Sequence, residues 1–274
     1  MADRSCLGNS GILSLPNEIL LHIISLTCDS QSNFRSLLLI DKRFYTLVQF
    51  DRLPHIPIRL NTNSVRSFSE FIALHELAAS VRYLWINGTS SLCSDVVNSC
   101  NNLVSLACSK TVLYSLCCST SIKHTDLTEL TLFDNWRCWH YMVHHTDRRG
   151  IELCQQITHL RIHEPVSDDF SAELFPSLTH FSYSAKQITA ASIIGQLAPI
   201  YHLPKINLIV ITTFFWADEP ADERTRLMLS FDKRIRIVYF GSGEPVEFAL
   251  WCGRARQMET IWTRHARIRR LVGL

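Results

Sequence analysis

A six-residue pattern, apolar-x-x-apolar-x-apolar, recurs seven times along this chain and limits what it can fold into. The copies are Val81-Leu84-Ile86, Leu103-Leu106-Cys108, Leu127-Leu130-Leu132, Ile157-Leu160-Ile162, Leu178-Phe181-Tyr183, Ile206-Ile209-Ile211 and Ile235-Val238-Phe240. Their starts lie 22, 24, 30, 21, 28 and 29 residues apart. Apolar residues at positions four and six suit a short strand with one face in a core, because strand side chains alternate. The segments between copies read as helices. Ser64 to Ser80 carries Phe68, Phe71, Ile72 and Leu77 on one face. Gln187 to Leu203 and Asp218 to Phe231 are two more, the latter with acidic residues and Pro220 at its start. A strand and a helix repeated at this interval predict an α/β fold whose strands pair in parallel in chain order. Residues 55–60, HIPIRL, read as a further strand at the N-terminal edge.

This repeat resembles the leucine-rich repeat. The resemblance implies an irregular solenoid over residues 53–243, with short parallel strands and outer helices. The family's ladder Asn, three residues past the last apolar position, stands at Asn135. Elsewhere that position holds Thr89, Thr111, Pro165, Lys186, Phe214 or Gly243, which predicts uneven turns. The alternative is an ordinary α/β domain with variable crossovers. Pattern positions three and five face away from the helices. Position three is Tyr83, Ser105, Glu129, His159, His180, Leu208 and Ile237; position five is Trp85, Ala107, Thr131, Arg161, Ser182, Val210 and Tyr239. Strands about 4.8 Å apart put His159 beside His180, with Arg161 and Glu129 close by. Aromatic and Arg side chains anchor interfaces, so Tyr83, Trp85, His159, Arg161 and His180 are the candidates for partner contact. For Tyr83 and Trp85 the alternative is packing under the loops that lead from the N-terminal region.

Residues 14 to 50 have a different character. Ser14 is a candidate N-cap, with Pro16 near the first turn and Glu18 close behind. Leu15, Ile19, Leu20, Ile23, Ile24 and Leu26 follow at helical spacing, then a polar break from Asp29 to Asn33. A second run is apolar at Phe34, Leu37, Leu38, Ile40, Phe44 and Leu47. About 40 residues bury little core alone, so these faces need a further surface to pack on. Leu15-Pro16-Asn17-Glu18-Ile19, Ile23 and the block Leu39-Ile40-Asp41-Lys42-Arg43-Phe44 resemble the F-box, over residues 14–52. Ile40 stands for the family's Val and Asp41 for its Ser, and the loop Thr27 to Ser32 lacks the Pro often found there. The resemblance implies a three-helix unit that docks on a Skp-type adaptor of an SCF-type cullin-RING ubiquitin ligase while the remainder holds a protein substrate. Leu15, Pro16, Ile19, Ile23 and Ile40 are then the adaptor-facing residues. The alternative is that they pack the first helices onto the rest of the chain. Loose repeats after an F-box are similar to the arrangement in fungal F-box proteins.

The cysteines at 6, 28, 93, 100, 108, 117, 118, 138, 154 and 252 form no C-x-x-C pair, and several sit in apolar segments as small hydrophobes. No apolar run reaches 18 residues and the start, MADRSCLGNSGIL, lacks the core of a secretory signal. The expectation is a cytoplasmic or nuclear protein with reduced thiols and no membrane partner. A net charge of +2 does not argue for nucleic acid. His140 and His144 are spaced for one helix face, with His145, Asp147, Cys138 and Cys154 nearby, but any zinc set would be irregular. Gly241-Ser242-Gly243 reads as a turn. No catalytic constellation, metal site or cofactor motif is recognised, and no enzyme is expected. Residues 1–13 read as a flexible N-terminus and residues 244–274 as a helix capping the solenoid's open end. That segment carries Phe248, Trp251, Met258 and Trp262 at helical spacing among Arg254, Arg256, Arg264, Arg267, Arg269 and Arg270. The expected function is a ligase substrate receptor. The rivals are a non-degradative scaffold and a nucleic-acid-associated protein using the Arg-rich segment.

Overall fold

The computed structural model describes residues 12–28, 30–118, 124–134, 139, 148–167, 169–185, 190–214, 232–240, 244–256 and 258–263. The chain divides into two compact units, Met1–Ile56 and Pro57–Leu274. The motifs at Asn135, Cys138, His140, His144, His145, Asp147, Asp218 to Phe231, Gly241 to Gly243 and Arg264 to Arg270 lie outside the described residues, as does most of the segment 1–13.

The first unit holds three helices, α1 (Asn17–Thr27), α2 (Gln31–Leu38) and α3 (Lys42–Asp51). Leu20 and Ile24 of α1, Phe34 of α2, and Phe44 and Val48 of α3 are buried. Both α1 and α2 pack on α3. Ser14 does not cap α1; it ends a short 3-10 turn, Ile12–Ser14, and Pro16 occupies the N-cap position. The next two caps follow the ordinary preference for Ser and Asp. Ser30 Oγ accepts from the Asn33 amide at 3.2 Å. Asp41 Oδ1 accepts from the Phe44 amide at 2.9 Å and starts α3. Arg43 joins the helix starts: its Nε donates to Asn17 Oδ1 at 2.7 Å and its Nη2 to Leu15 O at 2.8 Å.

The second unit is an α/β fold with one eight-stranded parallel sheet in the order β1 to β8. The strands are β1 (Ile58–Asn61), β2 (Tyr83–Asn87), β3 (Ser105–Cys108), β4 (Glu129–Leu132), β5 (His159–Ile162), β6 (His180–Ser184), β7 (Leu208–Phe214) and β8 (Ile235–Phe240). Between them lie α4 (Val65–Leu74), α5 (Ser91–Ser99), α6 (Lys110–Cys118), α7 (Arg148–Gln155) and α8 (Ala190–Tyr201). A 3-10 turn, Ala172–Leu174, joins β5 to β6, where Phe170 and Phe175 stack 5.9 Å apart. Neighbouring helices α4, α5, α6 and α7 pack in a row.

Register follows the repeat through six copies. Leu84, Leu106, Leu130, Leu160, Phe181 and Ile209 are successive partners across the sheet. All are buried, on the helix-side face. Strand entries repeat one hydrogen-bond device. The amides of residues 104 and 105 both donate to Arg82 O, 128 and 129 to Val104 O, 158 and 159 to Thr128 O, and 179 and 180 to Thr158 O. At the strand exits, Ser109 Oγ donates to Gly88 O at 3.1 Å, and Asp134 Oδ1 accepts from the Lys110 amide at 2.8 Å.

The seventh copy departs from expectation. Ile209 pairs with Ile235 and Ile211 with Ile237, a shift of three residues from the repeat alignment. An odd shift exchanges the two faces of a strand. Ile237, expected to face outward, therefore lies on the helix side, and Val238 joins Leu208 and Val210 on the other face.

The last described helix, α9 (Glu244–Cys252), also departs from expectation. Helix ends at Cys252, and residues 253–256 and 261–263 are turns. The segment lies on the open face of the sheet, where Trp251 and Cys252 cluster with Trp85 and Ala107. Leu250, Ile261 and Trp262 cluster with Leu208, Val210 and Val238. It covers the face from β2 to β8 instead of capping only the end strand. Gly253 allows the reversal, because a Cβ there would stand 2.1 Å from Glu259 O.

Candidate functional site

The first unit presents apolar side chains to solvent. Ile19 is 48% exposed, Ile40 50% and Leu39 85%. Pro16 is exposed, and Leu15 and Ile23 are half-buried. Along α1 the residues Ile19, Ile23 and Leu26 recur at i, i+4 and i+7, forming a second apolar stripe beside the buried Leu20 and Ile24. The Arg43 bridge holds the start of α3 against the start of α1. Ile40 therefore stands at the same end of the unit as Leu15 and Pro16. All five candidate adaptor-facing residues fall on this end or on the stripe that leads from it. Phe50, in the last turn of α3, and Ile12 are also exposed. Burying one Leu or Ile contributes about 1.5–3 kcal/mol, so such a stripe favours a covering partner.

The open face of the second unit is built from different chemistry. His159 and His180 are direct strand partners, and their rings stack at 4.2 Å and 10°. Each imidazole is held by the preceding threonine. Thr158 Oγ1 lies 2.9 Å from His159 Nδ1, and Thr179 Oγ1 lies 2.8 Å from His180 Nδ1. These hydroxyls donate to Thr128 O and Thr158 O. Their protons being committed, they accept from Nδ1–H, which leaves Nε2 as the ring acceptor. Trp262 meets both rings edge-on at 5.3 and 5.7 Å.

Arg161 is 3% exposed and donates a hydrogen bond from each of its three side-chain nitrogens. Its Nε donates to Glu247 Oε2 at 3.0 Å and its Nη2 to Glu247 Oε1, a two-pronged pair. Nη1 donates to Ser182 Oγ at 2.7 Å, and Nη2 also reaches Thr212 Oγ1 at 3.2 Å. A second acidic anchor, Glu129, accepts from Arg254 Nη1 at 2.9 Å and from Trp262 Nε1 at 3.0 Å. Further along the face Trp85 packs on Phe133 at 4.8 Å, Phe248 at 5.4 Å and Trp251 at 5.6 Å. The Arg59 guanidinium lies 5.0 Å over the Phe248 ring.

Burial sets the protonation of the face. His159 is pushed down to about 3, by burial first and then by the charges of His180 and Arg254. His163 is driven well below the usual range by burial and Arg161. Burial also lowers His180, helped by Arg236 and Arg254 and opposed by Glu129. All three imidazoles are neutral at pH 7, with Glu247 and Glu129 serving arginines. Burial also raises the thiols of Cys100 and Cys252 to about 12, as suits cysteines used as small hydrophobes. Among the described residues no group of three His, Cys, Asp or Glu side chains is arranged to hold a metal ion.

The sequence expectation brought His159, His180, Arg161 and Glu129 together, and they are together. Their exposure is the correction. Trp85 is 1% exposed and Arg161 is sealed by Glu247; Tyr83, His159 and His180 are half-buried. Among the described residues the side chains that cover this face come from the segment 244–263. Glu247, Arg254 and Trp262 were missed as partners of the face. Their apolar spacing was visible, but a pairing across 86 or 125 residues leaves no local signal. No protein-family model, curated protein or solved structure matches the chain. No helix among the described residues is long and apolar enough to cross a membrane.

Proposed function

We propose that the chain is a substrate receptor of an SCF-type cullin-RING ubiquitin ligase. Residues 14–52 act as an F-box that docks on a Skp-type adaptor. The second unit acts as an irregular leucine-rich-repeat-like solenoid that holds a protein target. The observation that carries this reading is the exposure of Pro16, Ile19 and Ile40, with Ile23 half-buried beside them, on a three-helix unit at the positions where the F-box resemblance puts adaptor contacts. The departure at Asp41 is consistent with it, since Asp41 caps α3 and Asp and Ser are both preferred N-cap residues. Sequential parallel strands with a repeated entry device support the solenoid. The missing Asn ladder is offset by other side chains at the exits, Ser109 and Asp134.

The receptor performs no bond chemistry. Binding an adaptor through one unit and a target through the other raises the target's effective concentration at the ligase, so positioning is the mechanism. The test is co-purification with a Skp-type adaptor, beside an Ile19→Asp, Ile23→Asp double variant. The proposal expects 1:1 binding by the wild type, lost in a variant that melts as a folded protein. A folded wild type that fails to bind removes the ligase reading. If adaptor binds but no associated protein gains ubiquitin, the scaffold reading replaces it.

A further inference from the structure

The C-terminal segment meets the sheet face as a bound peptide meets a receptor. Its side chains arrive in chain order at separate subsites. Glu247 enters the Arg161 subsite, Phe248 and Trp251 meet Trp85, Arg254 reaches Glu129, and Trp262 closes on the His159–His180 stack. Each end of the charge pattern is complementary: a carboxylate to the sheet's guanidinium, a guanidinium to the sheet's carboxylate.

Among the described residues, several polar atoms on this face are left without partners. Trp85 Nε1, Trp251 Nε1 and Ser105 Oγ are buried with no hydrogen-bond partner among the described residues. His163 Nε2 is buried 3.7 Å from Glu247 Oε2, too far for a hydrogen bond. A cavity of about 10 Å³ lies in the contact, lined by Trp85, Arg161 and His163 from the sheet and Glu247, Trp251 and Trp262 from the segment. That is near the smallest space able to hold one water. Buried polar atoms without partners weaken the closed state, and opening hydrates them. Opening also hydrates Arg161 and Glu247 together. Opening therefore does not strand one charge, as deleting a single member of the pair does.

We propose that the sheet face is a peptide-binding groove held shut by the chain's own C-terminal segment. Its partner is a peptide of the same chemistry: a carboxylate for Arg161, aromatic side chains for Trp85 and the His159–His180 pair, and a guanidinium for Glu129. The inference rests on the target-receptor reading of the second unit and names the groove and the partner class for it. A target segment must compete with residues 244–263, so its apparent affinity is reduced by the fraction of chains that are open.

The experiment uses the full chain and a fluorescent synthetic peptide of residues 244–263, read by anisotropy, with no adaptor present. Wild type binds this probe weakly. Trp262→Ala removes the closure on the histidine stack and binds it about tenfold or more tightly, as expected when the open fraction rises. Arg254→Ala, at a partly exposed side chain, gives the same direction and serves if Trp262→Ala does not fold. A Glu247→Gln peptide and a scrambled peptide bind no better to the opened variants than to wild type. Amide exchange in wild type is faster across 244–263 than in β4 to β6. Equal binding by wild type and a folded variant, equal binding of the Glu247→Gln peptide, or exchange as slow as the strands overturns the proposal. Adaptor co-purification is scored separately, so loss of peptide binding with adaptor binding retained sinks the groove alone. The converse result sinks the ligase reading alone.

Discussion

In the unit Met1–Ile56, Ile19, Leu39, Ile40 and Phe50 stand in solvent, whereas on the sheet of Pro57–Leu274 the ion pair Arg161–Glu247 is buried. The ordinary sorting of apolar inward and charged outward is inverted in both places, for opposite reasons. A three-helix unit of this size encloses one row of side chains per helix and leaves a second row uncovered. The sheet face has a cover available within its own chain. Its polar groups could therefore be matched one by one by Glu247, Arg254 and Trp262. An exposed apolar stripe is a surface still to be covered. A buried charge with matched acceptors points to something already in place.

The contrast can be broken most easily at matched residues. Leu160→Ala, in the helix-side core, is expected to cost about 2–5 kcal/mol in urea unfolding. Ile40→Ala is expected to cost less than about 0.5 kcal/mol, because its side chain is already half in water. Similar losses at both sites contradict the claim that one is core and the other is surface.

Acid probes the buried face. The folded-state values of His159, His163 and His180 lie below the unfolded value of about 6.5, so the neutral form is favoured by folding. The stability they support is complete above about pH 6.5 and is lost as pH falls through that value, continuing toward about 3 for His159. His159 and His163, neutral when folded and charged when unfolded, each lower the unfolding free energy by up to about 1.4 kcal/mol per pH unit, and the half-exposed His180 by less. Urea midpoints at pH 7, 6 and 5 should fall accordingly, and a flat profile contradicts the burial of these rings.

Gly253→Ala sharpens the account of the cover. The added Cβ collides with the Glu259 carbonyl, so the turn must open and Trp262 leaves Glu129. A loss of about 1–3 kcal/mol is expected, with faster amide exchange over 258–263. A small gain is expected at Glu76, whose φ of 55° is left-handed. Glu76→Gly should raise stability by up to about 1 kcal/mol in thermal unfolding.

Much of the sheet was legible in the residues. The repeat set strand order and register from Leu84 to Ile209, because the copies recur at regular intervals and most carry a polar residue on the open face, such as Ser105, Glu129, Arg161 or Ser182. The eighth strand was misaligned because Ile235, Ile237, Val238, Tyr239 and Phe240 are apolar or aromatic on both faces. Only Arg236 interrupts them, so alternation does not select a register. The segment HIPIRL was displaced by a few residues from the strand Ile58–Asn61. The adjacency of His159 and His180 followed from register alone. The cover did not follow, since the pairing of Arg161 with Glu247 depends on where a distant helix comes to rest. Ser14 misled for a local reason: the chain places Pro16 at the cap, and Asn17 instead accepts from Arg43.

Titration of a purified Skp-type adaptor into the full chain tests the central claim most directly, with wild type, Ile19→Asp combined with Ile40→Asp, and Trp262→Ala compared side by side. The account predicts 1:1 binding by wild type and by Trp262→Ala, and none by the double variant at an unchanged melting temperature. A double variant that still binds, or a folded wild type that does not, contradicts it.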